Sequence, residues 1–376
     1  MNQTPMKGYK RPIRISVFAS IENPHFLSIF DVSDNLNKTE THCYYFNEMP
    51  QHRKALGWKT RKNSQLVSKN PISYFKAIHK AFRADHIFLL GIGASVPWLP
   101  LAGAIAVLLN KRLVIASEGL KKINTNPFLK LFLKPIYNRE SIAFLAIGFK
   151  AHEDFQKLGM TRVQYYKFGF AEAAYNVINK HKQTSGNISV LSVGQLIERK
   201  NFQRILHSLS RYNGDKQIDY RIAGEGPLRE SLQTQSKSLP PNIRLELLGN
   251  QSKECLDELF AEANIFTLPS EYDGWGVVVN QAVANGLPTL LSEGVRSGEG
   301  HLVKNGFNGY IFRNDSELDH AFHSLIDDSQ KRNLLSRNCK EIWSKWNTQE
   351  IARRLCEFIS DKRGSYNDGG PFSRIN

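Results

Sequence analysis

Apolar and polar positions along this chain alternate on two length scales. Short, mostly apolar runs of strand length recur between longer stretches whose apolar residues follow a helical period. That alternation is the mark of parallel βαβ units. In the first half, 14–20, 86–91, 112–117 and 142–148 read as strands, and 72–84, 98–110, 126–138 and 149–158 as helices. In the second half the strands are 188–194, 219–224, 243–249, 264–270 and 288–293. Helices fall near 201–213, 227–238, 253–263 and 276–285, with later ones at 316–326, 329–343 and 348–360. The polar region 38–70 assigns to no element. The pattern predicts an α/β chain of two doubly wound parallel-sheet domains, 1–182 and 183–361. The polar segment 179–187 is expected as the linker, and helix 348–360 is a candidate to pack back on the N-terminal domain. The Gly-rich end, 362–376, reads as a disordered tail.

A length of 376 residues exceeds one ordinary core and suits two domains of ~180 residues. Charge divides the same way. Residues 1–185 hold 27 Lys/Arg against 11 Asp/Glu, a balance of +16, whereas 186–376 hold 23 against 24, a balance of −1. A basic half suggests an anionic partner such as a phosphate-rich lipid surface or a lipid diphosphate. It carries no nucleic-acid recognition motif, so no nucleic acid is expected as a partner. Cys43, Cys255, Cys339 and Cys356 are scattered without metal-site spacing and fit a reducing cytosol. Residues 87–109 are uncharged over 23 positions, but Gly91, Gly93, Pro97 and Pro100 break the run. A strand, a turn and a buried helix are expected there instead of a membrane span. With no cleavable leader visible, a cytoplasmic protein is expected.

Open α/β sheets bind ligands beyond the carboxyl ends of their strands. The loops after the second-half strands are unusual in composition. Gly194-Gln195 leads to Arg199-Lys200, an adjacent cation pair suited to a diphosphate without a metal. Gly224 and Gly226 let backbone approach a ligand. Asp273-Gly274-Trp275-Gly276-Val277 precedes an apolar helix, where exposed amides favour phosphate. Gln281 lies eight residues beyond Asp273, about two turns along. No Asp-x-Asp occurs, so neither a metal nor another cofactor is expected.

Together these segments resemble glycosyltransferase family 4, retaining enzymes of GT-B architecture with two facing Rossmann-like domains. The resemblance covers roughly 140–360. It rests on Ser192 to Leu196 with Arg199-Lys200, on Ala223 to Pro227, on Leu248-Gly249, on Pro269 through Pro288, and on Asn305 to Gly309. It implies a nucleotide-sugar donor and a glycan or lipid-linked acceptor, in polysaccharide or lipopolysaccharide assembly. Matched by position, Asp273 takes the role of the glutamate that contacts donor-sugar hydroxyls, and Gln281 that of the ribose-binding glutamate. Lys200 matches the usual lysine, while Gln195 replaces the usual arginine, for which Arg199 compensates. Gly249, Gly274, Trp275, Gly276 and Val277 would complete the donor site. Glu118, near the place of a family histidine, would orient sugar or acceptor. The departures at Asp273 and Gln281 leave open a weak or inactive relative, and the scaffold leaves open a nucleotide-sugar epimerase. The stretch 121–139 interleaves Lys/Arg with Phe128, Leu129, Phe132 and Leu133, as a helix lying on an anionic membrane surface would.

Overall fold

A computed structural model describes residues 11–51, 60–67, 70–92, 98–120, 134–171, 186–360 and 366–375. The chain divides into two compact units. The first comprises 1–146, 150–173 and 348–376, and the second 147–149 and 174–347. Residues 179–185 of the expected linker lie outside the described residues.

The first unit holds a seven-stranded sheet in the order β3-β2-β1-β4-β5-β6-β7. Its strands are β1 Ile13–Ala19, β2 Thr39–Tyr45, β3 Ser64–Leu66, β4 His86–Leu90, β5 Arg112–Glu118, β6 Ala143–Ile147 and β7 Gln164–Phe168. The β1–β2, β1–β4, β2–β3 and β4–β5 pairs run parallel. Helices α1 Pro24–Asn35, α2 Pro71–Ala81, α3 Trp98–Leu108 and α4 Ala151–Lys157 accompany them. The uncharged run 87–109 resolves into β4 and α3, with 93–97 outside the described residues. Among the described residues no helix is long and apolar enough to cross a membrane.

Helix α1 was not expected. Asn23 caps it by accepting the His25 N–H at 3.0 Å, and Pro24 occupies the first turn, where a missing N–H costs nothing. Region 38–70 contains β2 and β3, fixed by a polar cluster. Arg61 donates to Asp31, Asp34 and, at 3.2 Å, the Thr41 carbonyl. Burial pushes the neighbouring Cys43 thiol up to about 11, against the opposing pull of Arg61.

The second unit holds a six-stranded, wholly parallel sheet ordered β10-β9-β8-β11-β12-β13. Its strands are β8 Ile188–Val193, β9 Ile218–Ala223, β10 Ile243–Gly249, β11 Ile265–Leu268, β12 Thr289–Ser292 and β13 Gly309–Phe312. The central β8 and β11 are almost entirely buried, as strands covered on both faces must be. Helices α5 Gln203–Ser210, α6 Arg229–Ser236, α7 Lys253–Glu262, α8 Val278–Ala284, α9 Asp315–Asp327 and α10 Ser329–Trp346 follow. Helix α11, Thr348–Ile359, counts with the first unit and packs against α1.

The expectation of a disordered tail fails for 366–375. This segment lies antiparallel along the outer strand β7, with Lys167 N–H to Ser373 O at 2.9 Å and Ile375 N–H to Tyr165 O at 2.9 Å. It thereby satisfies an edge that would otherwise be open. Phe372 is fully buried between Phe168 and Phe358. Arg354 of α11 clamps the segment through Asp368 at 2.7 and 2.9 Å and the Pro371 carbonyl at 3.1 Å. Composition suggested fraying because the glycines outnumber the anchors, yet one aromatic and one guanidinium suffice. Arg354→Ala is expected to cost about 2 kcal/mol by removing the paired guanidinium bonds to Asp368 and the bond to the Pro371 carbonyl. Hydrogen exchange should show the amides of Phe372 and Ile375 losing protection, with β8 unaffected.

Candidate functional site

Strand order decides which loops meet. In the second sheet β8 has β9 on one side and β11 on the other, so the winding direction reverses between β8 and β11. Loops leaving such a reversal splay apart at the carboxyl edge and open a crevice. The loop after β8 and the loop after β11 are those two. They are tied by the Glu271 N–H donating to the Arg199 carbonyl at 2.9 Å.

Three of the expected residues converge there. A short 3₁₀ turn, Glu198–Lys200, closes on Asn201 in the left-handed conformation and carries both cations in the loop after β8. Lys200 Nζ donates to Asp273 Oδ2 at 2.5 Å, with both side chains largely buried. Arg199 Nη1 lies 3.8 Å from the same carboxylate oxygen and donates to the Tyr272 carbonyl. Two cations around one carboxylate leave the cluster with a net positive charge, held in place before any ligand arrives.

The glycines form the floor. Gly194 N–H donates to Ala223 O at 2.9 Å, Leu196 N–H to Glu225 O at 2.9 Å, and Gly224 N–H to Gly249 O at 2.8 Å. The loops after β8 and β9 are therefore laced backbone to backbone. A Cβ on Gly224 would fall 1.9 Å from the Gly194 carbonyl oxygen, and one on Gly226 would fall 2.4 Å from that of Leu196. Only glycine allows this approach, and the result is a carboxyl edge of bare backbone with Gln195 exposed on it. Gly249, at the end of β10, completes the row.

In the loop after β11, Asp273 is fixed by its own backbone. Its N–H donates to Gly294 O at 2.9 Å, and its carbonyl accepts from Arg296 N–H at 3.0 Å. Gly274 follows, and Gly276 turns the chain at φ +77°. Trp275 is a core anchor whose Nε1 donates to Asn280 Oδ1 at 2.8 Å, and whose ring packs on His301 and Trp346. Only its backbone is left for the loop, so its indole does not line a binding surface. Helix α8 begins at Val278, two residues later than expected. The amides of Gly276 and Val277 ahead of it meet no backbone carbonyl among the described residues. Gln281 sits on α8 and is nearly buried, its carbonyl accepting from Asn285 Nδ2 at 2.8 Å.

Glu118 ends β5 in the first unit's sheet. Beside it, the Leu120 amide donates to Asp154 Oδ2 at 3.0 Å. Residues 93–97, within the expected turn, and 121–133 of the expected membrane-facing helix lie outside the described residues.

Sequence reading passed over the loop after β12. Gly294 fits so closely against the Glu271 carbonyl that a Cβ would lie 2.2 Å from its oxygen. Arg296 stands over the Tyr272 ring, 5.8 Å from its centroid. The signal was a strand followed by Glu293-Gly294-Val295-Arg296, the same strand-then-glycine pattern that marked the other loops.

Comparison with known proteins agrees with this architecture. Residues 176–342 match the family model Glycosyl transferases group 1. An uncharacterised glycosyltransferase of Methanocaldococcus jannaschii is 23% identical over 44% of this chain and 42% of its own length. A UDP-Gal:alpha-D-GlcNAc-diphosphoundecaprenol alpha-1,3-galactosyltransferase of Escherichia coli is 26% identical over 32% of this chain and 30% of its own. These matches thus span about half or less of the curated relatives. The crystal structure of Anabaena HepE in complex with UDP superposes with TM-score 0.71 at 17% identity, covering 93% of this chain and all of that one. The chain therefore has the GT-B type of fold, two Rossmann-like parallel-sheet domains, and the Glycosyl transferases group 1 model matches its residues 176–342, a little under half of its length.

Proposed function

We propose that this protein is a glycosyltransferase of family 4 type. It moves a sugar from a nucleotide diphosphate sugar to a hydroxyl of a glycan or lipid-linked acceptor, with retention of configuration and without a metal. The observation that carries this reading is the meeting of Arg199, Lys200 and Asp273 at the β8/β11 reversal.

Glycosyl transfer leaves negative charge on the departing diphosphate and oxocarbenium character on the sugar. Cations fixed in advance at the diphosphate lower that barrier, because they need not reorganise as charge develops. Lys200 and Arg199 serve this role, helped by the amides of Gly274 to Val277. The bare backbone at Gly194, Gly224, Gly226 and Gly249 lets the nucleotide lie against the sheet edge, beside Gln195. Asp273 both holds Lys200 and accepts from sugar hydroxyls. Gln281 hydrogen-bonds ribose as a neutral amide. Glu118 orients the sugar or the acceptor. A lipid-linked acceptor fits the basic first half, and the Escherichia coli relative is named for one. On this reading the enzyme works on the cytoplasmic side of a membrane in polysaccharide or lipopolysaccharide assembly, with 121–139 against the anionic surface.

A thermal-shift panel of UDP, GDP, ADP and CMP tests the donor assignment. One nucleoside diphosphate should stabilise the protein by about 2.7 kcal/mol at a hundredfold excess over Kd. The matching nucleotide sugar should then be turned over in the presence of EDTA. If none of these nucleotides raises the melting temperature, the reading fails.

A further inference from the structure

We infer that the amino-terminal edge of the first sheet carries a second anion site, built for phosphate oxygens and separate from the donor loops. Two adjoining cavities, of about 620 and 430 Å³, share Asn110, Lys111 and Arg112. They follow the starts of four neighbouring strands. Ile13 opens β1, His86 opens β4, Arg112 opens β5, and Ile142 stands just before β6. Strands lie roughly 4.8 Å apart, so the groove is about 15 Å long. That length accommodates two linked phosphate groups, and each cavity is within the ordinary size range of ligand sites.

The charge in this groove is one-sided. Arg11, Arg14 and Arg83 line one cavity, Arg139 the other, and Lys111 and Arg112 both. The one carboxylate among the described lining residues is Asp85. It is already engaged, accepting the Arg14 N–H at 2.9 Å and facing Arg11 at 3.4 Å and Arg14 at 3.8 Å. Asp85 thus orients two guanidinium groups without neutralising the groove. The Arg14 side chain is 39% exposed along this groove, so its guanidinium is open to a ligand while Asp85 steadies it from one side. Like charges gathered along a concave wall repel one another and focus a positive potential outward. Guanidinium forks match the paired oxygens of phosphate, and a linear groove selects a diphosphate or a phosphate headgroup over a single small anion.

The test is the rate at which an acetylating reagent modifies Lys111, read by peptide mass spectrometry. Inorganic pyrophosphate, phosphatidylglycerol vesicles and phosphatidylcholine vesicles are the three additions. Near-saturating ligand should slow Lys111 acetylation by about threefold or more. Protection by pyrophosphate identifies a soluble phosphate ligand. Protection by phosphatidylglycerol but by neither of the others identifies a lipid headgroup. Arg14→Gln with Arg112→Gln should abolish the protection, and Arg83→Gln with Arg139→Gln should weaken it. Lys200→Ala should leave it intact, which separates this groove from the donor loops. The inference is overturned if neither pyrophosphate nor phosphatidylglycerol slows Lys111, if protection survives in the Arg14/Arg112 variant, or if it vanishes in Lys200→Ala.

Discussion

Lys200→Ala is expected to lower kcat/KM for the nucleotide sugar by about 10²–10³, or roughly 3–4 kcal/mol of transition-state stabilisation. Two losses combine. The first is the cation that meets the charge developing on the leaving diphosphate. The second arises because Lys200 Nζ sits 2.5 Å from Asp273 Oδ2. Its removal leaves that carboxylate opposed, among the described residues, only by Arg199, at 3.8 Å, and the cluster loses its net positive charge where an anionic donor must bind. Repulsion should therefore raise KM while the lost stabilisation lowers kcat. Lys200→Arg keeps the charge and should recover part of the rate. Pairing Lys200→Ala with Asp273→Asn removes the repulsion and should restore KM more than kcat. Steady-state kinetics on the four proteins would show this pattern. A kcat/KM within about threefold of wild type in Lys200→Ala would refute the assigned role.

Gly224→Ala is expected to cost about 3 kcal/mol or more in stability and to abolish the nucleotide-induced thermal shift. The added Cβ would lie 1.9 Å from the Gly194 carbonyl oxygen and 2.7 Å from its carbon. Both are backbone atoms, so no rotamer change relieves the clash. The neighbouring bonds from Gly194 N–H to Ala223 O and from Gly224 N–H to Gly249 O hold both loops in place. The loops must part, and with them goes the floor of the crevice. Gly186→Ala serves as the control, since nothing lies within 4 Å of its added Cβ, and its melting temperature should stay near wild type. A Gly224→Ala protein that melts and binds like wild type would show that these loops tolerate separation.

How much of this was readable beforehand follows from where each signal lives. Strands β8 and β11 are buried on both faces, so each appears as a mostly apolar run, interrupted only by the small hydroxyl residues Ser189, Ser192 and Thr267, with a glycine or proline at its end. Strand β2 was invisible for the opposite reason. Its inward positions Thr39 and Thr41 are polar and are satisfied by Ser33 and Asp34 of α1, partners that no local pattern reveals. Helix α1 itself was hidden by Asn23-Pro24, which reads as a turn; the fold uses the pair as an N-cap and first helical residue. At the site, Arg199, Lys200 and Asp273 each stood out by position after a strand. Their contact did not, because 73 residues separate Lys200 from Asp273 and only the β8/β11 pairing brings them together. The depth of Trp275 was equally illegible. Its place in a glycine-rich loop marks a donor-site position, but nothing local shows that its ring enters the core beside Trp346 and leaves the backbone to the loop. Backbone lacing such as that of Gly294 against Glu271 left only a bare glycine as its trace.

Calorimetric binding of the preferred nucleoside diphosphate and of its parent nucleoside, to wild type and to Lys200→Ala, measures the central contact directly. The account predicts that Lys200→Ala weakens the diphosphate by about 10-fold or more and leaves the nucleoside unchanged, since Lys200 acts on phosphate alone. Equal loss for both ligands, or loss for neither, would contradict it.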